Sequence, residues 1–104
     1  MSMPAGESPY RLSSSKRVND AFRALYRRAC ELGLEEKFLA AAKRIVDRLR
    51  SDPLEFGEAR YRYRRVKAQV RIASVSPLIV HYAVHEQERI VFIKEIDSFP
   101  GFGF

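Results

Sequence analysis

The sequence predicts an α+β domain: a helical hairpin packed on a three- to four-stranded antiparallel sheet, in the order β-α-α-β-β-β. Two observations carry this. The first half holds two apolar stripes at helical spacing, and the second half holds runs rich in β-branched and aromatic residues, the last two only four residues apart. Each helical stripe needs a surface to cover, and the strands of the second half supply one.

The elements follow in chain order. Residues 1–8 are small, polar and contain Pro and Gly, so a loose N-terminus is expected there. "PYRL", residues 9–12, reads as a short first strand. "SSS", residues 13–15, offers hydroxyls to the unpaired N–H groups of a following helix. Val18, Phe22, Leu25, Tyr26, Ala29 and Leu32 then form one helical stripe, and Gly33 is a natural C-terminal stop. Phe38, Ala42, Ile45, Val46 and Leu49 form the second stripe, closed by "SDP" at 51–53, since the residue before a proline is steered out of helical geometry. The link between the two stripes is short, which makes the helices an antiparallel pair.

Val66, Ala68, Val70 and Ile72 alternate with Lys67, Gln69 and Arg71, the period of a half-buried strand. The whole run "RYRYRRVKAQVRI", residues 60–72, reads as one strand. "PLIVHYAV" at 77–84 and "RIVFIKEI" at 89–96, separated by "HEQE", read as a terminal hairpin. That turn lacks Asn-Gly or Gly-Gly, so the pattern does not say whether His81 or Tyr82 faces the helices. The expected organisation is a single domain over residues 9–97, followed by an aromatic and glycine-rich tail at 98–104.

A chain of 104 residues supports one modest core, and 46% hydrophobic against 31% charged residues argues against global disorder. A single cysteine, Cys30, excludes an internal disulfide framework and a multi-cysteine zinc site. It reads as a buried inert thiol on the first helix. No run is apolar enough for a membrane span, and the first residues do not resemble a secretory signal, so a cytoplasmic protein with no membrane partner is expected. No phosphate-binding loop motif occurs, and no cofactor is expected.

Charge is unevenly spread. The net charge is +6, but residues 1–71 carry 17 of 19 Lys and Arg against 9 of 13 acids, a net of +8, leaving −2 for the remainder. Such asymmetry favours a polyanion or an acidic protein as partner.

The element order, "LRSDPLEFGEARYRY" at 49–63 and "VRIASVSPLIVHYAVHEQERIVFIKEI" at 70–96 together resemble the RelE/ParE toxin superfamily across roughly residues 9–97. The resemblance implies a small basic toxin of a bacterial type II toxin–antitoxin pair, held silent by a cognate antitoxin. It implies action either on ribosome-bound mRNA, as in RelE-like members, or on DNA gyrase, as in ParE-like ones. The match is one of element order and hydrophobicity. RelE-type enzymes commonly carry an arginine near the start of the strand at 77–84, where this chain has Pro77, Leu78 and Ile79. They also carry Arg and Tyr after the last strand, where this chain has "DSFPGFGF". Their catalytic set therefore does not transfer residue by residue.

The residues themselves offer candidates. Arg60, Arg62, Arg64, Arg65, Lys67 and Arg71 are the nucleic-acid-binding candidates, since successive cations neutralise phosphates. On a regular strand Arg60, Arg62 and Arg64 share one side, while Tyr61 and Tyr63 share the other and either stack on bases or pack under the helices. Lys16, Arg17, Arg23, Arg27 and Arg28 make the first helix basic on its outside, a solvated face or a second part of the same grip. Arg71, His81 and Lys94 are the catalytic candidates for RNA cleavage: a base for the 2′-hydroxyl and cations for the phosphorane charge. His81 and His85 would ligate a metal together on a helix, but on a strand they stand roughly 13 Å apart, so no metal site is expected.

Overall fold

A computed structural model describes residues 9–63 and 68–98 and, for residues 61–63, the backbone alone. In chain order the elements are β1 (Arg11–Ser14), α1 (Lys16–Glu31), α2 (Glu35–Ser51), a one-turn α3 (Pro53–Phe56), β2 (Glu58–Tyr63), β3 (Ala68–Val75), β4 (Leu78–His85) and β5 (Ile90–Ser98). The architecture is α+β, with the strands in the order β1-β5-β4-β3-β2.

Two expectations about the sheet are corrected. It has five strands and is mixed, because β1 runs parallel to β5, pairing Arg11 with Ile90 through Ser14 with Ile93. The run 60–72 is not one strand but parts of two, β2 and β3, which pair antiparallel with Tyr61 opposite Val70 and Tyr63 opposite Ala68. Val66 lies outside the described residues. Alternation marks extended chain but carries no information on where that chain reverses.

β1 starts later than expected, at Arg11, because Tyr10 is drawn into the core. The Tyr10 N–H donates to the Arg50 carbonyl at 2.9 Å, and the Arg89 guanidinium lies 4.2 Å from the Tyr10 ring centre. α1 begins as the serines suggest: Ser15 is the N-cap, its hydroxyl accepting from the Val18 N–H at 3.2 Å. It ends at Gly33, whose φ of +73° an L side chain adopts only with strain. Leu32, expected in the stripe, instead caps the helix and is exposed.

Phe38 of α2 is fully buried at the centre of the core, with the Phe22 and Tyr26 rings of α1 at 5.1 and 5.7 Å. Ala41, Ile45 and Leu49 continue its buried stripe. Beneath them Leu78, Val80, Tyr82 and Val84 of β4 are all buried, together with Val91 of β5, each such side chain stabilising by about 1.5–3 kcal/mol. Tyr82 therefore faces the helices, and His81 faces away.

The "SDPLEFG" stretch docks the helices onto the sheet. Pro53 opens α3, where a missing N–H costs nothing. Its carbonyl accepts the buried Tyr82 hydroxyl at 2.7 Å, and the Phe56 ring stacks on Tyr82 at 6.3 Å between centres. Gly57 follows where a β-carbon would come within 2.7 Å of both the Ile72 carbonyl oxygen and the Tyr82 hydroxyl. Arg71 closes the arrangement, donating to the Gly57 carbonyl and to the Gln69 side chain.

Candidate functional site

On the face of the sheet away from the helices lies a hollow of about 450 Å³, lined by Arg17, Arg60, Val70, Ile72, His81, Lys94 and Glu95. Its size is that of a small-ligand site, and three basic side chains share it with one carboxylate.

Two bulges set the cations there. In the β2–β3 pairing the register shifts between Ala59 and Tyr61, so Arg60 is an extra residue with no partner across the ladder. In the β4–β5 pairing Tyr82 is opposite Ile93 and His81 opposite Glu95, leaving Lys94 as the extra residue. A bulge re-aims the side chain it carries and bends the strand. Both extra residues are basic, and both line the same hollow. The second bulge also serves the core: it lets Val91, Ile93 and Ile96, spaced two and then three apart, all pack towards the helices.

Arg17 arrives from a different element. At the start of α1, its guanidinium reaches the Lys94 carbonyl at 3.5 Å, the outer limit of a hydrogen bond. The other basic residues of α1 are mostly engaged locally. Lys16 pairs with Asp20 at 2.9 Å, Arg23 with Asp20 at 3.7 Å and Arg28 with Glu31 at 3.4 Å, all exposed i,i+3 or i,i+4 pairs. Such pairs are worth little individually, but they fix those charges to the helix surface.

His81 is half-buried in the wall of the hollow, its Nδ1 3.9 Å from a Glu95 carboxylate oxygen. That is beyond a direct hydrogen bond. Val70 and Ile72 form the apolar floor beside it. Val70 also packs with Ala68 and Ala83 in a small buried cluster on this outer face.

Of the three catalytic candidates, His81 and Lys94 come together here and Arg71 does not. Arg71 pairs in register with Tyr82 and is committed to the Gly57 carbonyl on the helix side; burial raises the Tyr82 phenol, and the Arg71 charge and hydrogen bond oppose part of that rise. Among the nucleic-acid candidates, Arg60 lines the hollow. Arg62 lies opposite Gln69 in register, while Arg64, Arg65 and Lys67 lie outside the described residues. The bulge at Arg60 interrupts the regular alternation of β2 at that residue. His85 ends β4, half-buried, opposite Ala68 and Ile90, its Nδ1 without a hydrogen-bond partner among the described residues.

Glu95 was counted in the sequence only as part of the acidic C-terminal portion, and Arg17 only as part of a basic helix face. The one legible signal for their proximity is that β1 and α1 are joined by a single serine, so the start of α1 must sit beside whichever strand pairs with β1.

Compared with protein-family models, with characterised proteins and with solved structures, the chain finds no match. Among the described residues no helix is long and apolar enough to cross a membrane.

Proposed function

We propose that the chain is a toxin-like protein of the RelE/ParE kind, which engages the phosphate backbone of RNA through the outer hollow of its sheet. The observation that carries this is the convergence of Arg17, Arg60 and Lys94 from three elements on one concavity with His81 in its wall. In RNA cleavage, His81 would take the proton from the 2′-hydroxyl. The arginines and Lys94 would stabilise the charge that develops on the phosphorus oxygens. Support for a protein partner comes from an apolar hollow of about 380 Å³ between the helices and the sheet, with Phe22, Leu39 and Val46 in its wall. An antitoxin segment carrying apolar side chains would cover it.

A second reading, a catalytically silent RNA- or protein-binding module on the same scaffold, draws on specific features. β4 opens on buried Leu78, where the RelE-type arginine would stand, and the sequence after β5 offers no Arg, Lys, His or Tyr. The leaving 5′-oxygen needs a proton, and His81 is the one histidine of the hollow.

Induced expression of the chain in bacteria, with growth followed and primer extension run on several transcripts, separates these readings. Growth arrest with new in-frame cuts that disappear in the His81→Ala and Arg60→Gln/Lys94→Gln variants supports the ribonuclease. Arrest without cuts, together with inhibited supercoiling, transfers the reading to gyrase. Normal growth with folded protein leaves the silent module.

A further inference from the structure

We infer that Phe92 is a stacking platform for a base of single-stranded nucleic acid whose neighbouring phosphate sits on Arg17 and Lys94. The inference rests on the nucleic-acid reading of the outer hollow and deepens it by naming the strandedness of the ligand.

Phe92 is one of three large apolar side chains left exposed among the described residues, at 43% of its surface, the others being Leu32 and Leu39. A single exposed apolar residue calls for no explanation in itself. Leu32 and Leu39 are aliphatic and sit on the helical hairpin. Phe92 is aromatic and stands on the outer face of β5, opposite Ala83 and beside Ser13 of β1. Neither neighbour is a large side chain, and 43% of the Phe92 surface stays exposed.

Its surroundings supply the remainder of a nucleotide site. Phe92, Arg17 and Lys94 line a second hollow of about 400 Å³ with Ser13, Ser14 and Ser15. Arg17 and Lys94 are also walls of the larger cationic hollow, so the two concavities meet at these residues. Phe92 and Lys94 are two positions apart on β5 and both line this hollow, so a base on the ring and its phosphate on Lys94 belong to one nucleotide's reach. Of the three serines on this rim, Ser14 donates to Asn19 Oδ1 and Ser15 accepts from the Val18 N–H, so Ser13, beside Phe92, is the one placed to meet a sugar or phosphate oxygen. Every base has a π-face, so a lone ring of this kind grips any unpaired base without reading sequence. A base inside a duplex offers no free face.

The sequence contains no tryptophan, which makes a direct test available. Phe92→Trp places the only indole of the chain at the platform. Titrating it with a short single-stranded oligoribonucleotide should quench the indole fluorescence saturably, and the matching duplex should not. In parallel, fluorescence anisotropy of the labelled oligonucleotide should show Phe92→Ala weakening binding between about 5- and 140-fold, with Phe92→Trp restoring it. Phe92→Ala should leave the salt dependence unchanged, whereas Arg17→Gln should lower its slope by about 0.7, the loss of one phosphate contact on a single strand. Binding by the unmodified chain with no indole quenching and an unaffected Phe92→Ala variant overturns the platform while sparing the cationic hollow. Failure of the unmodified chain to bind either strand form overturns the nucleic-acid reading itself, and the platform with it.

Discussion

Arg60 and Arg71 are eleven residues apart on adjacent strands and belong to opposite faces of one sheet. Arg71, on the helix side, is half-buried and holds the Gly57 carbonyl and the Gln69 side chain. Arg60, the extra residue of a bulge, is exposed at the lip of the outer hollow, and among the described residues no carboxylate pairs with it. The same guanidinium serves packing on one face and remains accessible to solution on the other. The difference extends to the faces themselves. The helix side is dense and apolar, and the fully buried Tyr82 phenol within it is hydrogen-bonded, whereas the outer side is concave and positively charged. A fold that keeps its core on one face leaves the other free to hold charges that contribute little to stability.

The largest test of that contrast is Phe38→Ala. Phe38 is fully buried between the Phe22 and Tyr26 rings, so truncation should cost about 3–5 kcal/mol, measured by denaturant unfolding. Against a total of about 5–15 kcal/mol for an ordinary domain, that is a large share. His81→Ala, on the outer face, should stay within about 1 kcal/mol. Comparable losses from the two would mean that the outer face is also structural.

Gly57→Ala comes next. The added methyl would meet the Ile72 carbonyl, which is backbone within the sheet, and the Tyr82 hydroxyl, which is held by Pro53. Neither group is the end of a flexible side chain, so a cost of about 1–3 kcal/mol is expected from the same unfolding measurement. Gly33→Ala is the control for a different mechanism: nothing lies within 4 Å, and the cost, about 1 kcal/mol, arises from φ alone.

The arginine pair tests the comparison directly. Arg71→Ala removes two donors from half-buried acceptors and should cost about 1–3 kcal/mol, whereas Arg60→Ala should change stability by no more than about 0.5 kcal/mol. The order should invert for polyanion binding, read by retention on a phosphate-bearing column against salt. If Arg71→Ala reduces that retention as much as Arg60→Ala without unfolding the chain, the division of labour between the faces is wrong.

These arginines also mark where sequence reasoning stops. The helices were legible because Phe38, Ile45 and Leu49 recur at helical spacing, and Ser15 and Gly33 bound α1 by local chemistry. The final hairpin was legible because two aliphatic runs flank four polar residues. The bulges were not. Arg60 and Lys94 carry no residue-type signal, since a bulge is set by the register between strands, and register depends on contacts distant in sequence. Without the bulges, strand parity directs neither Arg60 nor Lys94 to the hollow. The parallel pairing of β1 is equally invisible, because "RLSS" contains nothing that names β5 as its neighbour. The hollow is thus assembled from the features that alternation patterns do not encode.

The last expected effect concerns Tyr82, and it depends on pH. Burial holds the Tyr82 phenol above its ordinary value of 10.0, with the Arg71 charge and hydrogen bond opposing part of that rise. Near neutral pH, Tyr82→Phe loses one hydrogen bond to the Pro53 carbonyl and should cost about 1 kcal/mol. Above about pH 10 the unfolded chain gives up the phenolic proton while the folded chain keeps it. The unfolded state then binds fewer protons, and stability falls as pH rises through the window between the two values. The contribution is fully present below pH 10 and is lost as the pH passes the raised folded value. Tyr82→Phe should flatten this alkaline decline, so that the variant and the parent converge in stability as the pH rises above 10. Tyr26 is shifted in the same direction, through its hydrogen bond with the Cys30 thiol and then that group's charge, so both chains are compared in a Tyr26→Phe background. Parallel curves for the two chains above pH 10 would mean that Tyr82 ionises in the folded state as readily as in water. The helix-side face would then be wetter than its packing implies, and closer in character to the outer one.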